Sequence, residues 1–188
     1  MGRIRAPLPV KLVVPMLAGD PALLDEATEA LAAAYGPPDY VSATIPFVYT
    51  DYYERELGPG LLRRIVAFRD LIDPGRLASI KRHTNDLEGG WPVAGEGAAP
   101  PRRRVNLDPG YLAAGKFVLA TTKDQAHRLY LGEGIFAEVT LAYRAGDWRP
   151  WPWTYPDFRT EAYHAILRDI RRLYMAQLRA AAQDPTRR

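Results

Sequence analysis

The sequence predicts an α+β fold: a ferredoxin-like βαββαβ core, extended by an antiparallel meander and closed by a C-terminal helix. Three observations carry this expectation. Short apolar runs alternate with two amphipathic stretches in the order strand–helix–strand–strand–helix–strand. Both amphipathic stretches open on Asp-Pro, a cap followed by a residue preset for the first helical position. Seventeen prolines and fifteen glycines imply many turns rather than a helix bundle.

Each element follows from local pattern. Val10–Leu17 is a short apolar run between Pro9 and the Gly19-Asp20 turn, the signature of a buried first strand. Asp20 caps a helix running to Ala34, with Leu23, Leu24, Ala27, Ala30, Leu31 and Ala34 at helical spacing and Gly36-Pro37 as its stop. Tyr40–Tyr49 returns as a strand. After the Gly58-Pro59-Gly60 break, Leu62–Leu71 alternates as another. Asp73-Pro74 opens the second helix, which reaches about Leu87 with Leu77, Ile80 and Leu87 as apolar markers. A strand begins at Val105. Lys116–Thr122, Arg128–Leu131 and Ile135–Tyr143 read as three successive antiparallel strands, the last two joined by a Gly132-Glu133-Gly134 turn. Trp148–Trp153 adds an edge strand or drapes over the sheet. Thr160–Ala182 is the longest helix, with Tyr163, Ile166, Leu167, Ile170, Leu173, Tyr174 and Leu178 as its buried stripe.

The 188 residues, 47% of them hydrophobic, suit a single domain over 1–188, with a flexible Gly/Ala/Pro-rich loop at about 89–101 and a disordered tail at about 183–188. With no cysteine, thiolate metal sites and disulfides are excluded. His83, His127 and His164 are scattered without metal-site spacing, so no metal and no cofactor is expected. A net charge of +3 is too small for duplex DNA binding, while permitting a local anion site or single-stranded RNA contact. No run approaches a membrane span, and the expectation is a soluble cytoplasmic protein.

Polar residues crowd the stretch from Arg102 to Thr160. Gly110 to Lys116 fits the first seven positions of a phosphate-binding loop, but Phe117 stands where the magnesium-binding hydroxyl belongs, and a strand follows where a helix is needed. Thr122-Lys123-Asp124 resembles a guanine-recognition motif with one residue missing. Asn106, Asp108, Lys123, Asp124, His127 and Glu138 make a better constellation. His127 is the candidate general base or acid, oriented by Asp108 or Asp124. Glu138 sits in an apolar strand and needs a cationic partner, Arg128 or Lys116. Arg103, Arg104 and Lys123 are candidates to hold an anion, with Arg128 and Tyr155 as further ligand-binding candidates.

The strings Thr50-Asp-Tyr-Tyr53, Arg103-Arg-Val-Asn-Leu-Asp-Pro-Gly-Tyr-Leu112, Leu119-Ala-Thr-Thr-Lys-Asp124, His127-Arg-Leu-Tyr-Leu-Gly132 and Trp153-Thr-Tyr-Pro-Asp-Phe-Arg-Thr160 resemble the prokaryotic family catalogued as domain of unknown function 4416. The resemblance covers nearly the whole chain and implies no particular reaction. Some members carry a GTP-binding label, to which the incomplete phosphate loop and misspaced guanine motif give little support. The expectation is a small enzyme or ligand-binding protein for an anionic, phosphorylated or nucleotide-like metabolite. The alternatives are a single-stranded RNA-binding module, with aromatics stacking bases, or an interaction scaffold presenting Trp151–Tyr155.

Overall fold

The computed structural model describes residues 2–50, 53–91 and 103–183. Most of the loop expected at 89–101 and all of the tail beyond 183 lie outside the described residues, as do Asp51, Tyr52 and Arg102.

Strand β1 (Val10–Ala18) is buried at all nine positions because helices cover both sides of the sheet it centres. Its even-numbered residues, Val10, Leu12, Val14, Met16 and Ala18, pack with Leu23, Leu24, Ala27 and Leu31 of helix α1 (Pro21–Tyr35) and with Ile80 of α3 (Leu77–Glu88). Val13 faces the other way, into a cluster with Tyr163, Leu167, Ile170 and Tyr174 of α4 (Glu161–Gln183). Each fully buried aliphatic side chain here contributes about 1.5–3 kcal/mol. The apolar run read from sequence is thus a strand buried on both faces, which is why it does not alternate.

Both Asp-Pro starts are caps. Asp20 Oδ1 accepts from the Ala22 amide at 2.9 Å, and Asp73 Oδ1 from the Gly75 amide at 2.7 Å. The second cap opens a short 3-10 turn, Pro74–Arg76, that runs into α3.

Among the described residues ten strands form one sheet in which every pairing is antiparallel. Besides β1 these are β2 (Pro38–Val41), β3 (Ile45–Pro46), β4 (Leu62–Ile72), β5 (Val105–Leu107), β6 (Gly110–Ala113), β7 (Lys116–Thr121), β8 (Leu129–Gly132), β9 (Ile135–Arg144) and β10 (Asp147–Pro150). The order is β10-β9-β7-β6-β1-β4-β2, with β3 on β4, β5 on β1 and β8 on β9. A four-residue helix, α2 (Glu54–Leu57), lies between β3 and β4. The α+β class stands, with a larger sheet than the core expected.

Three local expectations are corrected. The strand expected over Tyr40–Tyr49 is broken into β2 and β3. Ser42 Oγ takes the Ile65 amide at 2.9 Å, and Pro46 has no N–H to extend the ladder. Gly110–Ala113 is a strand that its composition does not signal. It forms a hairpin with β7, so the residues resembling a phosphate loop are extended. The three meander strands are antiparallel neighbours but not in chain order. β7 pairs directly with β9, and β8 occupies β9's opposite edge. The connection over 122–128 is long enough to cross, whereas the Gly132-Glu133-Gly134 turn, with φ of 106°, 56° and 75°, folds β8 tightly back.

Lys11 interrupts the apolar run of β1 and is fully buried. It is ion-paired to Asp39 of β2, and it donates to Gln177 of α4 at 2.9 Å. Burial pulls its pKa below the usual lysine value, against the pull of Asp39. Among the described residues no helix is long and apolar enough to cross a membrane.

Candidate functional site

A kink in the chain opens the site. β5 follows β1 at Met16–Ala18, and β6 follows it at Lys11–Val13, with Asp108-Pro109 bending between them. Gly110 permits the bend: a Cβ there would lie 2.2 Å from the Val118 carbonyl oxygen, so only glycine lets β6 approach β7 this closely. A cavity of about 350 Å³ lies at this end of the sheet. That is at the small end of ligand pockets, about 300–1,000 Å³.

Its wall draws on most of the chain. Phe47, Tyr49 and Tyr53 come from the segment before α2, Arg63 from β4, and Lys81, Asn85 and Glu88 from one face of α3. Asn106 and Asp108 come from the kink, Leu119–Lys123 from the end of β7, Glu138 from β9, and Tyr155–Phe158 from the segment before α4. Four lining side chains are basic (Arg63, Lys81, Arg103, Lys123) and four acidic (Glu88, Asp108, Glu138, Asp157). The wall is therefore balanced in charge rather than cationic.

Arg63 is the most deeply placed of these cations, its side chain 4% exposed. Nη2 donates to Asp157 Oδ2 at 3.2 Å, and Nη1 stands 3.7 Å from Asp108 Oδ2, beyond hydrogen-bonding distance. Among the described residues Nε and Nη1 have no hydrogen-bond acceptor, and the guanidinium lies over the Phe47 ring at 5.0 Å. Burial opposes its charge, but Asp157, Tyr163 and Asp108 together hold its pKa above the ordinary arginine value. Burial raises the Asp157 pKa, Arg63 opposes that rise, and Asp108 adds to it. Asp108 is also 3.7 Å from Lys81 Nζ, which donates to the Leu107 carbonyl at 2.7 Å, and it accepts from Asn106 Nδ2 at 2.6 Å. Burial, with Asp108 next, pushes the Tyr53 phenol well up.

Glu138 anchors the opposite wall, its side chain 1% exposed. Oε2 accepts from Arg128 Nε and from His127 Nε2, both at 2.9 Å. A carboxylate only accepts, so Nε2 of His127 carries the proton. Among the described residues Oε1 has no hydrogen-bond partner. Arg128 goes on to bond the Lys123 carbonyl at 2.9 Å and the Tyr155 hydroxyl at 2.7 Å, tying the end of β7 to the segment before α4. Burial pushes the Tyr155 phenol up to about 12, with Glu138 adding to it.

The expected residues sort into three groups. Asn106, Asp108, Lys123, Glu138, Arg103 and Tyr155 line the cavity. His127 and Arg128 stand in contact with Glu138 without being among the lining residues. Arg104 and Asp124 are exposed and not among them. The partner of His127 is corrected: Glu138 orients the imidazole, not Asp108 or Asp124, because the long 122–128 connection carries His127 across to β9. Its ring stacks on Trp153 at 5.2 Å. Of the two cations expected to pair with Glu138, Arg128 does so and Lys116 is exposed at the other end of β7. Arg103 is clamped by both oxygens of Glu56, at 2.6 and 2.9 Å, and by Glu88 at 2.6 Å, so its fork is occupied within the protein. Among the described residues no three His, Asp or Glu side chains gather as a metal site.

Sequence reasoning did not single out Arg63, Lys81, Glu88 or Asp157. The signal for two of them is Lys81-Thr84-Glu88, polar residues continuing the buried Leu77 stripe of α3 at helical spacing. Arg63 could have been found as a charge at an inward position of an apolar strand, two residues before Ile65.

Fold and cavity together define an α+β protein with a ligand-sized, charge-balanced pocket framed by buried ion pairs. The chain belongs to the family described as domain of unknown function (DUF4416), whose model matches residues 8–174, so the resemblance read from its sequence strings is established. Searches of curated proteins and of solved structures each returned no significant match.

Proposed function

We propose that the chain is a small cytoplasmic ligand-binding protein or enzyme whose ligand carries an anionic group held by Arg63. The observation that carries this reading is a guanidinium almost wholly out of water, with two nitrogens lacking acceptors among the described residues, in the wall of a ligand-sized cavity. Unpaired buried donors cost about 1–3 kcal/mol each, and a ligand oxygen removes that cost. The same wall holds a pair suited to moving a proton, Glu138 with His127. The charge balance favours a singly charged group over a phosphate dianion.

The core reads as ferredoxin-like. Support comes from the order β6-β1-β4-β2, with α1 and α3 sharing one cluster on the same side of the sheet. The RNA-binding alternative draws less support, because it needs an open sheet face and α4 packs across the face opposite α1 and α3. The scaffold alternative is weakened by Trp153, whose Nε1 donates to the Val139 carbonyl at 3.0 Å and whose ring stacks on Trp151.

A thermal-shift screen of carboxylates, phosphates and nucleotides tests the reading. Anionic compounds raise the Tm of the wild type, and the shift is lost in Arg63→Lys, which keeps the charge without the fork. Equal shifts in both proteins, or none from any anion, overturn it.

A further inference from the structure

We infer that the ligand is bipolar: an anionic group for Arg63 at one end, and an N–H-bearing cationic or amide group for Glu138 at the other. This rests on the reading of Arg63 above and extends it to the far wall. Glu138 is as deeply buried as Arg63, and its Oε2 is already occupied by Arg128 and His127. Oε1 is left as a carboxylate oxygen with no donor among the described residues. A buried carboxylate oxygen demands a donor as strongly as a buried guanidinium demands an acceptor. The two unpaired sites have opposite polarity, so a simple anion would satisfy one and repel the other.

Their placement sets the ligand's form. Glu138 pairs across the ladder with Leu119, and Arg63 lies two residues from Ile65; Leu119 and Ile65 share the cluster that packs on α4. Both charges therefore rise from the same face of the sheet. β1, β6 and β7 lie between their strands in the sheet order, and Glu138 is in register through Leu119, Gly110 and Val13 with Ala67, four residues along β4 from Arg63. The two long side chains reach inward over part of that span, leaving room for a body between the charged ends. Tyr53, Phe158 and Leu119 line the space, so that body is apolar or aromatic. An α-amino acid headgroup, with both charges on one carbon, cannot reach both walls. The matching class is an ω-amino acid or a molecule with the same separation of charges.

The test is a molecular ruler. Unbranched ω-aminocarboxylates of increasing length are titrated against the wild type by calorimetry, beside the monocarboxylate and monoamine of each length. One length should bind about tenfold or more tighter than either one-ended analogue, the value of one hydrogen bond to a charged group. Glu138→Gln should bring that ω-amino acid to the level of its monocarboxylate, which should itself bind the variant more tightly than the wild type because the repelling charge is gone. Monocarboxylates binding as well as ω-amino acids at every length would overturn the bipolar ligand and leave the Arg63 anchor standing. Monoamines binding best, or no member of the series binding at all, would overturn both. The ligand series on wild-type protein decides the matter if Glu138→Gln does not fold.

Discussion

Gly110 has no room for a side chain, and the cavity depends on that. An alanine methyl at 2.2 Å from the Val118 carbonyl must push β6 off β7. Gly110→Ala is expected to cost at least about 3 kcal/mol in thermal unfolding, the upper end of overpacking penalties. The two carboxylates on Arg103 titrate in opposite senses. The hydrogen bond from Arg103 holds Glu56 below its ordinary value of 4.5, so its share of stability is present above that value and is lost as pH falls through the folded pKa. Burial raises Glu88 above 4.5 despite Lys81 and Arg103, so the stability tied to its proton is present below that value and is lost as pH rises through the folded pKa. Urea unfolding across pH should therefore show Glu88→Gln gaining on the wild type as pH rises above the ordinary value of 4.5, and the deficit of Glu56→Gln shrinking as pH falls below it. At this scale the sequence was readable where a charge was conspicuous in an apolar run, as at Glu138. It was not readable at Arg63 and Asp157, whose meeting depends on bringing β4 beside a segment ninety-odd residues later in the chain.

The helices were legible because their signals are local. Asp20 and Asp73 cap where the Asp-Pro pairs predict, and Asp20→Ala is expected to lower stability by about 1 kcal/mol. The stripe of α4 is buried at Tyr163, Leu167, Ile170 and Tyr174, so Leu167→Ala should cost about 2–5 kcal/mol by chemical denaturation. Strand pairing was less legible. Nothing in the composition of Lys116–Arg144 says that β9 takes β7 on one edge and β8 on the other, because ladder partners are chosen by connection length and tertiary packing. That choice moved His127 from the neighbourhood of Asp124 to Glu138, and so reassigned the proton-bearing pair.

Across the whole molecule, the site is built from both halves of the chain. The polar residues between Arg102 and Thr160 supply Asn106, Asp108, Glu138 and Tyr155, while Arg63, Lys81 and Glu88 arrive from β4 and α3. Sequence reading concentrated on the first set because polar residues cluster there along the chain. The second set is dispersed, and only the antiparallel sheet with α3 across its end gathers it. The buried ion pairs around the cavity are costly to desolvate, and replacing such pairs by apolar residues is often neutral or stabilising. Their presence at a ligand-sized opening is therefore the strongest general argument for function over stability. The central claim is that Arg63 anchors a ligand. A crystal structure of the protein grown with the tightest-binding member of the ω-amino acid series tests it most directly. The account predicts a ligand carboxylate within hydrogen-bonding distance of Arg63 Nε and Nη1, with its ammonium on Glu138 Oε1. A ligand bound elsewhere, with the Arg63 fork closed onto Asp108 and Asp157 alone, would contradict it.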